Sequence, residues 1–422
     1  MTADSKINIS RAVNLLYLAY IVIWPAFGRL VVQVDGAGRI GMFLLILVIF
    51  FNFSKLDFWR SLTYRPITLW LIWCVYVSSV WLWKGLPPLN NVTPFLFIYT
   101  EIFSPFFAMW VISYEVRRKA KPTVIFLCLA FLTYMLLGVL LQQGAKLYNG
   151  RVSGGLWNNM PLTSLSFMAV VVIANIKGWL STKWVVMALL LSIMATLMVA
   201  TRKAFIGIGI IIIFWYISAN NVKKASSIIM AVLVVLVAFF GISYIFDNTV
   251  LGERFSLVEN QGKALNKSGY ELLNFLGDRA TFYIEGWKLF KSYPFFGIGL
   301  SNYKTVLPSD MPIHSEFMVQ LAEGGLIGAL LFLLFHFSLF RRIFSMKKEN
   351  NKSMKLTLCG IMICILFIGL TAWTYSMRAY YIVFGAIIGL STSQPLVYDA
   401  DDGINEEISE KATVESTENS ES

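Results

Sequence analysis

Long apolar runs recur along the whole chain, many of them about as long as a helix needs to cross the hydrocarbon core of a bilayer. Short connectors bearing Lys and Arg separate them, in place of the period-2 alternation of an outer-membrane barrel. The pattern predicts membrane-spanning helices near 12–32, 40–54, 66–83, 94–113, 123–142, 161–176, 182–200, 204–219, 225–246, 325–340, 356–373 and 376–391. The expected fold is therefore all-α, a polytopic membrane protein of about twelve transmembrane helices. The first apolar run follows Lys6 and Arg11 as a signal peptide would. It continues past the usual length and lacks a small-residue cleavage site, which predicts a retained first helix.

The connectors carry cations unevenly. Lys55, Arg60 and Arg65, then Arg117, Arg118, Lys119 and Lys121, then Lys177 and Lys183, Lys223 and Lys224, and finally Arg341, Arg342, Lys347, Lys348, Lys352 and Lys355 fall in alternate connectors. The positive-inside rule makes these cytoplasmic, together with both termini, in an inner membrane. Arg151, Arg202, Lys203 and Arg378 remain on the opposite face against the rule. That face also receives 247–324, far longer than an ordinary loop and with helical patterning of its own, which predicts a periplasmic loop containing short helices. The expected organisation is thus transmembrane helices 1–9 over 1–246, the periplasmic loop over 247–324, transmembrane helices 10–12 over 325–391, and a cytoplasmic tail over 392–422.

Composition sharpens this picture at three points. With 57% hydrophobic and 14% charged residues, the chain lacks the surface of an ordinary soluble domain, so lipid must solvate much of it. The net charge of +11 understates how basic the embedded part is, because the stretch 398–422 is acidic, Ser/Thr-rich and almost free of apolar residues. That stretch predicts disorder, and the basic remainder suits anionic partners, lipid phosphates included. Cys74, Cys128, Cys359 and Cys364 all lie in apolar runs and read as small hydrophobes rather than a disulfide or metal framework.

Candidate chemistry gathers on the outer face. Arg202 and Lys203 lie in MVATRKAFIG between two spans nearly free of polar residues, so they are either cations reaching for lipid headgroups or ligands for an anion. Arg279, in LGDRATFYIEGWKLFKSYPFFGIGLSNY, opens an amphipathic helix carrying Phe282, Trp287, Leu289 and Phe290. The helix ends before Pro294, and Gly297 and Gly299 then form a tight turn. Asp278 and Arg279 also read as a capping acid and a solvated cation at a helix start. His314 is one of two histidines, the other being His336 deep in an apolar span. His314 opens a further amphipathic helix, PIHSEFMVQLAEGGLIGALLF, and imidazole is the side chain best suited to accept a proton near neutral pH. Glu316 and Glu323 are read as solvated-face acids, with orientation of the imidazole or binding of sugar hydroxyls as their functional alternative. Arg151, Trp157, Asn158 and Asn159 share the outer stretch GRVSGGLWNNMPL, which fits a sugar-binding loop and an ordinary interfacial turn equally.

These residues resemble the O-antigen ligase and polymerase superfamily of bacterial envelope glycosyltransferases. The pattern His314-Ser315, then Gly325 and Gly328 at fixed distance, is similar to the family's most specific motif. TRKAF at 201–205, the segment from Arg279 to Gly299, and RVSGGLWNN resemble further family elements in the same order. The part before Arg151 matches only in hydropathy.

The resemblance implies a glycosyltransferase that uses an undecaprenyl-pyrophosphate-linked glycan as donor, without cofactor or required metal and without nucleic-acid partners. It implies catalytic roles for His314, Arg279 and Arg202, with Lys203, Arg151, Trp157 and Asn158 binding substrate. The chemistry fits: arginine offers forked donors to a departing diphosphate, and histidine can take the acceptor's proton. The favoured acceptor is lipid A-core, as in an O-antigen ligase of lipopolysaccharide biosynthesis; a repeat-unit polymerase, whose acceptor is a second lipid-linked glycan, is the alternative. A lipid-linked glycan transporter stays open, although it would be expected to set its cations along a central path.

Overall fold

A computed structural model of the chain describes residues 3–27, 34–85, 93–141, 146–148, 151–153, 159–199, 201–219, 279–306, 315–346, 352–372, 374–375 and 377–392. The architecture there is helical apart from one short hairpin. In chain order the helices are α1 (Ala3–Phe27), α2 (Val34–Asn52), α3 (Leu56–Arg60), α4 (Arg65–Lys84), α5 (Pro94–Ile98), α6 (Ser104–Arg118), α7 (Ala120–Leu141), α8 (Met160–Ile176), α9 (Thr182–Val199) and α10 (Arg202–Ala219). There follow α11 (Arg279–Ser292), α12 (Tyr303–Val306), α13 (Glu316–Ala322), α14 (Gly325–Ser345), α15 (Lys352–Gly369) and α16 (Arg378–Leu390). The hairpin pairs β1 (Lys146–Tyr148) with β2 (Arg151–Ser153) antiparallel, Tyr148 opposite Arg151.

Prolines mark several helix starts. Pro66, Pro94, Pro105 and Pro161 stand in the first turns of α4, α5, α6 and α8, where a missing N–H costs nothing because no intrahelical acceptor awaits it. One turn of π-helix, Tyr99–Phe103, joins α5 to α6.

Among the described residues six helices are long and apolar enough to cross a membrane: Arg65–Lys84, Pro94–Arg118, Ala120–Leu140, Thr182–Val199, Gly325–Ser345 and Lys352–Gly369. The chain is a multi-pass membrane protein by this measure and by its composition. The span expected over 40–54 is broken: Gly38–Asn52 and Leu56–Thr63 meet at 120°, one crossing only if the pair counts as a single span. Those expected near 12–32, 161–176, 204–219 and 376–391 correspond to shorter apolar helices, and 225–246 lies outside the described residues.

Helices α6 and α16 pack closely against one another. Gly385 and Gly389, one turn apart on α16, make this possible: a Cβ on Gly385 would sit 2.5 Å from the Met109 carbonyl oxygen, and one on Gly389 2.8 Å from Val116 Cβ. Small residues at this spacing let helix backbones approach in a membrane, where packing rather than water exclusion drives association. Around them α4 packs on α14, α10 on α15, and α1 on α2 and α7.

At the end where α6 finishes, a buried polar chain ties α1, α2 and α6 together. Asn14 donates to Glu115 Oε1 at 2.6 Å, Asn52 donates to Asn14 Oδ1 at 2.8 Å, and Ser10 donates to Asn52 Oδ1 at 2.9 Å. A buried carboxylate is tolerable only with such donors about it. His336 is buried in α14, as its apolar surroundings predict, with Nδ1 2.9 Å from the Phe332 carbonyl.

Candidate active site

The other end of the bundle is built from three pieces of chain that interlock. The turn Pro294–Leu300 after α11 lies along the turn between α13 and α14: Leu326 N–H donates to Pro294 O at 2.7 Å, Gly299 N–H to Glu323 O at 2.9 Å, and Ile298 N–H to Ala322 O at 3.3 Å. Gly297 and Gly325 sit at φ 67° and 65°, the left-handed region that favours glycine. A Cβ on Gly297 would stand 2.3 Å from Glu323 carbonyl atoms, and one on Gly325 2.3 Å from Phe295 O. Each glycine is therefore demanded twice, by dihedral and by approach. The tight turn expected at Gly297 and Gly299 is present, and it serves to dock α11 onto α13.

Helix α4 supports the clasp from below. Tyr76 donates to Gly324 O at 2.6 Å, and Trp81 Nε1 donates to Leu300 O at 2.8 Å.

The third piece is the segment 370–377 between α15 and α16. Lys203 Nζ, in the first turn of α10, donates to Thr371 O at 3.1 Å. Tyr283, one turn into α11, donates its hydroxyl to Leu370 O. Glu316, opening α13, accepts from Thr374 N–H, from Tyr375 N–H at 3.0 Å and from Thr374 Oγ1 at 3.2 Å. Three helices distant in sequence thus hold one short segment.

Glu316 and Glu323 are buried, not solvated as the sequence pattern suggested. Helical periodicity could not reveal that backbone N–H groups from elsewhere in the chain point at them. Gln320 donates to Glu316 Oε1 at 2.7 Å and accepts from Trp73 Nε1 at 2.9 Å, which links the pair to α4. Glu323 Oε2 accepts from Ser301 N–H at 2.7 Å. Burial pushes the Glu316 carboxyl up, against the pull of its hydrogen bonds from Thr374, Gln320 and Tyr375. Burial likewise pushes the Glu323 carboxyl up to about 8, while the Ser301 and Tyr303 N–H groups draw it down. The Tyr375 hydroxyl lies 3.1 Å from Ser301 Oγ, and burial followed by the nearby Glu323 and Glu101 charges raises its pKa well above the ordinary phenol value.

Of the residues expected to act, Lys203 reaches this assembly, through the Thr371 carbonyl. Ser315 caps α13, its hydroxyl accepting from Met318 N–H at 3.5 Å; the helix begins at Glu316 rather than at His314. His314, Trp157 and Asn158 lie outside the described residues. Arg202 and Arg279 are the first residues of α10 and α11, and Arg151 is the first residue of β2; for these three the backbone alone is described. Lys203 is brought to the 370–377 segment. Of the apolar face expected on α11, Leu289 is buried whereas Trp287 is 47% exposed. Arg378 opens α16 with Nη2 3.2 Å from the Thr100 carbonyl of the π-turn.

Tyr283, Ser301, Gln320 and Tyr375 were not singled out by sequence. The Glu316–Gln320 spacing of one helical turn was the one local signal available; the other contacts join residues far apart in the chain.

Residues 187–333 match the family model described as O-antigen ligase. This match supports the O-antigen ligase and polymerase superfamily, whose members are membrane glycosyltransferases acting on lipid-linked glycans. It takes in Arg202, Lys203, Arg279, His314 and the Gly297–Gly325 clasp, while Arg151, Trp157 and Asn158 precede it. No curated protein matches the chain.

Proposed function

We propose that the protein transfers a glycan from undecaprenyl pyrophosphate to an acceptor hydroxyl, with lipid A-core as acceptor, in the manner of an O-antigen ligase. The observation that carries this reading is the convergence of α10, α11 and α13 on the 370–377 segment. Lys203, Tyr283 and Glu316 make the contacts. Arg202 precedes Lys203, Arg279 stands one turn before Tyr283, and His314 stands two residues before Glu316. The closeness in sequence of the proposed diphosphate ligands Arg202 and Arg279 and the proposed base His314 to these contacts supports the reading.

In the proposed reaction the acceptor oxygen attacks the anomeric carbon of the donor's first sugar while the bond from that carbon to the phosphate oxygen breaks. The electron pair leaves with the pyrophosphate, whose growing charge Arg202 and Arg279 neutralise through forked N–H donors. His314 takes the acceptor's proton. Lys203, Arg151, Trp157 and Asn158 bind substrate. No cofactor enters these steps.

The same reading puts the site on the periplasmic face of the inner membrane, with both termini cytoplasmic, about twelve spans, the loop 247–324 outside and the tail 392–422 inside. Cation asymmetry supports it. A reporter fused after Val258 then behaves as periplasmic; cytoplasmic activity of that fusion contradicts the orientation.

Deletion of the gene tests the reaction. Loss of capped lipopolysaccharide, with full-length chains retained on the lipid carrier, supports the ligase. Single-repeat products instead assign a polymerase, to which the Arg202-Lys203 pair also bears a resemblance.

A further inference from the structure

Glu101 lies in the π-turn that joins α5 to α6, within the apolar stretch Pro94–Arg118. A carboxylate at such depth is costly unless it is paired, and acids that do occur there face the bundle interior and mark substrate paths. The buried acids Glu115, Glu316 and Glu323 each accept hydrogen bonds. Glu101 differs from them. It is partly buried and, among the described residues, its carboxyl makes neither a hydrogen bond nor an ion pair.

The turn explains what stands beside it. Ser104 N–H reaches back five residues to Tyr99 O, and Pro105 has no N–H to offer the Thr100 carbonyl at the same spacing. Arg378, the first residue of α16, supplies the missing donor, with Nη2 3.2 Å from Thr100 O. That bond pins the guanidinium near Glu101, where its charge acts on the carboxylate from beyond ion-pair distance. Glu101 also acts on Tyr375, whose hydroxyl lies 3.1 Å from Ser301 Oγ.

Both neighbours mark one end of the 370–377 segment. Lys203 and Tyr283 hold the other end, at the carbonyls of Thr371 and Leu370. In the reaction proposed above the lipid-linked donor is bound from α10 and α11, which leaves the Glu101 end of the segment to the acceptor.

We infer that Glu101 binds the acceptor glycan, its carboxylate accepting hydrogen bonds from sugar hydroxyls while Arg378 balances its charge. The inference rests on the proposed transfer reaction. Two carboxylate oxygens match two neighbouring hydroxyls, and hydrogen bonds to an ionised acceptor are the strong ones.

The test uses the full chain in nanodiscs, with the transfer rate measured against lipid-linked donor and against lipid A-core in turn, beside thermal unfolding. Glu101→Gln keeps the shape and loses the charge. It is expected to raise the acceptor KM roughly tenfold, to leave the donor KM at the wild-type value and not to lower the unfolding temperature. Glu285→Gln, which removes an exposed carboxylate of α11, is expected to behave as the wild type. If Glu101→Gln does not fold, Glu101→Asp carries the test: it keeps the charge on a shorter reach and is expected to raise the acceptor KM by less. An unchanged acceptor KM, an equal rise in donor KM, or a lowered unfolding temperature with both KM values unchanged overturns the inference and leaves the transfer reading intact. A wild type that transfers glycan neither to lipid A-core nor to a second lipid-linked glycan overturns the transfer reading, and this inference with it.

Discussion

Replacing Glu316 by Ala tests the assembly at its most connected point. The carboxylate is fully buried and accepts from Thr374 N–H, Thr374 Oγ1, Tyr375 N–H and Gln320 Nε2. Without it, two backbone N–H groups of the 370–377 segment lose their acceptor in a place water does not reach. A buried donor left unsatisfied costs about 1–3 kcal/mol, so the pair costs about 2–6 kcal/mol. Release from holding a carboxylate in an apolar setting offsets part of that loss, which puts the net destabilisation at about 2–4 kcal/mol. Glu316→Gln retains one acceptor oxygen but turns an N–H₂ toward other donors, so it is expected to fall between the wild type and Ala. Unfolding in mixed micelles measures the stability, and hydrogen exchange at the Thr374 and Tyr375 amides reads the segment directly. Transfer activity is expected to fall with the amide protection, because the same segment receives Lys203 and Tyr283. A Glu316→Ala protein with wild-type stability and unchanged protection at both amides would refute the reasoning.

Glu323 adds a pH dependence of defined sign. Its folded carboxyl titrates near 8, above the ordinary glutamate value of about 4.3, so the folded chain keeps a proton that the unfolded chain releases. Stability is then fullest below about pH 4 and declines as pH rises toward about 8, by up to a few kcal/mol. In Glu323→Gln that decline is expected to flatten, as unfolding midpoints across the interval would record; parallel curves for variant and wild type speak against a buried protonated acid. Arg202→Lys and Arg279→Lys each keep the charge and lose the fork, and are expected to lower transfer of the lipid-linked glycan. Full activity in both would reduce them to interfacial anchors.

The helical, multi-pass character was legible in the sequence because apolar runs of spanning length are a one-dimensional signal. Details that depend on the third dimension were not. The run over 40–54 gave no sign of the 120° break that follows Asn52. Gly297 and Gly325 could be read singly as a turn and a motif glycine, but their mutual contact needs Phe295 and Glu323 placed beside them. Glu316 and Glu323 looked like solvated acids because their partners, Thr374, Tyr375 and Ser301, come from other parts of the chain. Lys203 was legible as a cation between two apolar spans, yet its acceptor, the Thr371 carbonyl, leaves no trace in sequence.

The central claim, that a base acts where α10, α11 and α13 converge, is tested most directly with His314→Ala. A positioned general base contributes about two to four powers of ten in rate. The variant is expected to fold, insert and bind the lipid-linked donor as the wild type does, while transferring glycan two to four powers of ten more slowly. Near-normal transfer by well-inserted protein would contradict the role, and loss of donor binding along with transfer would make His314 a pyrophosphate ligand instead of the base.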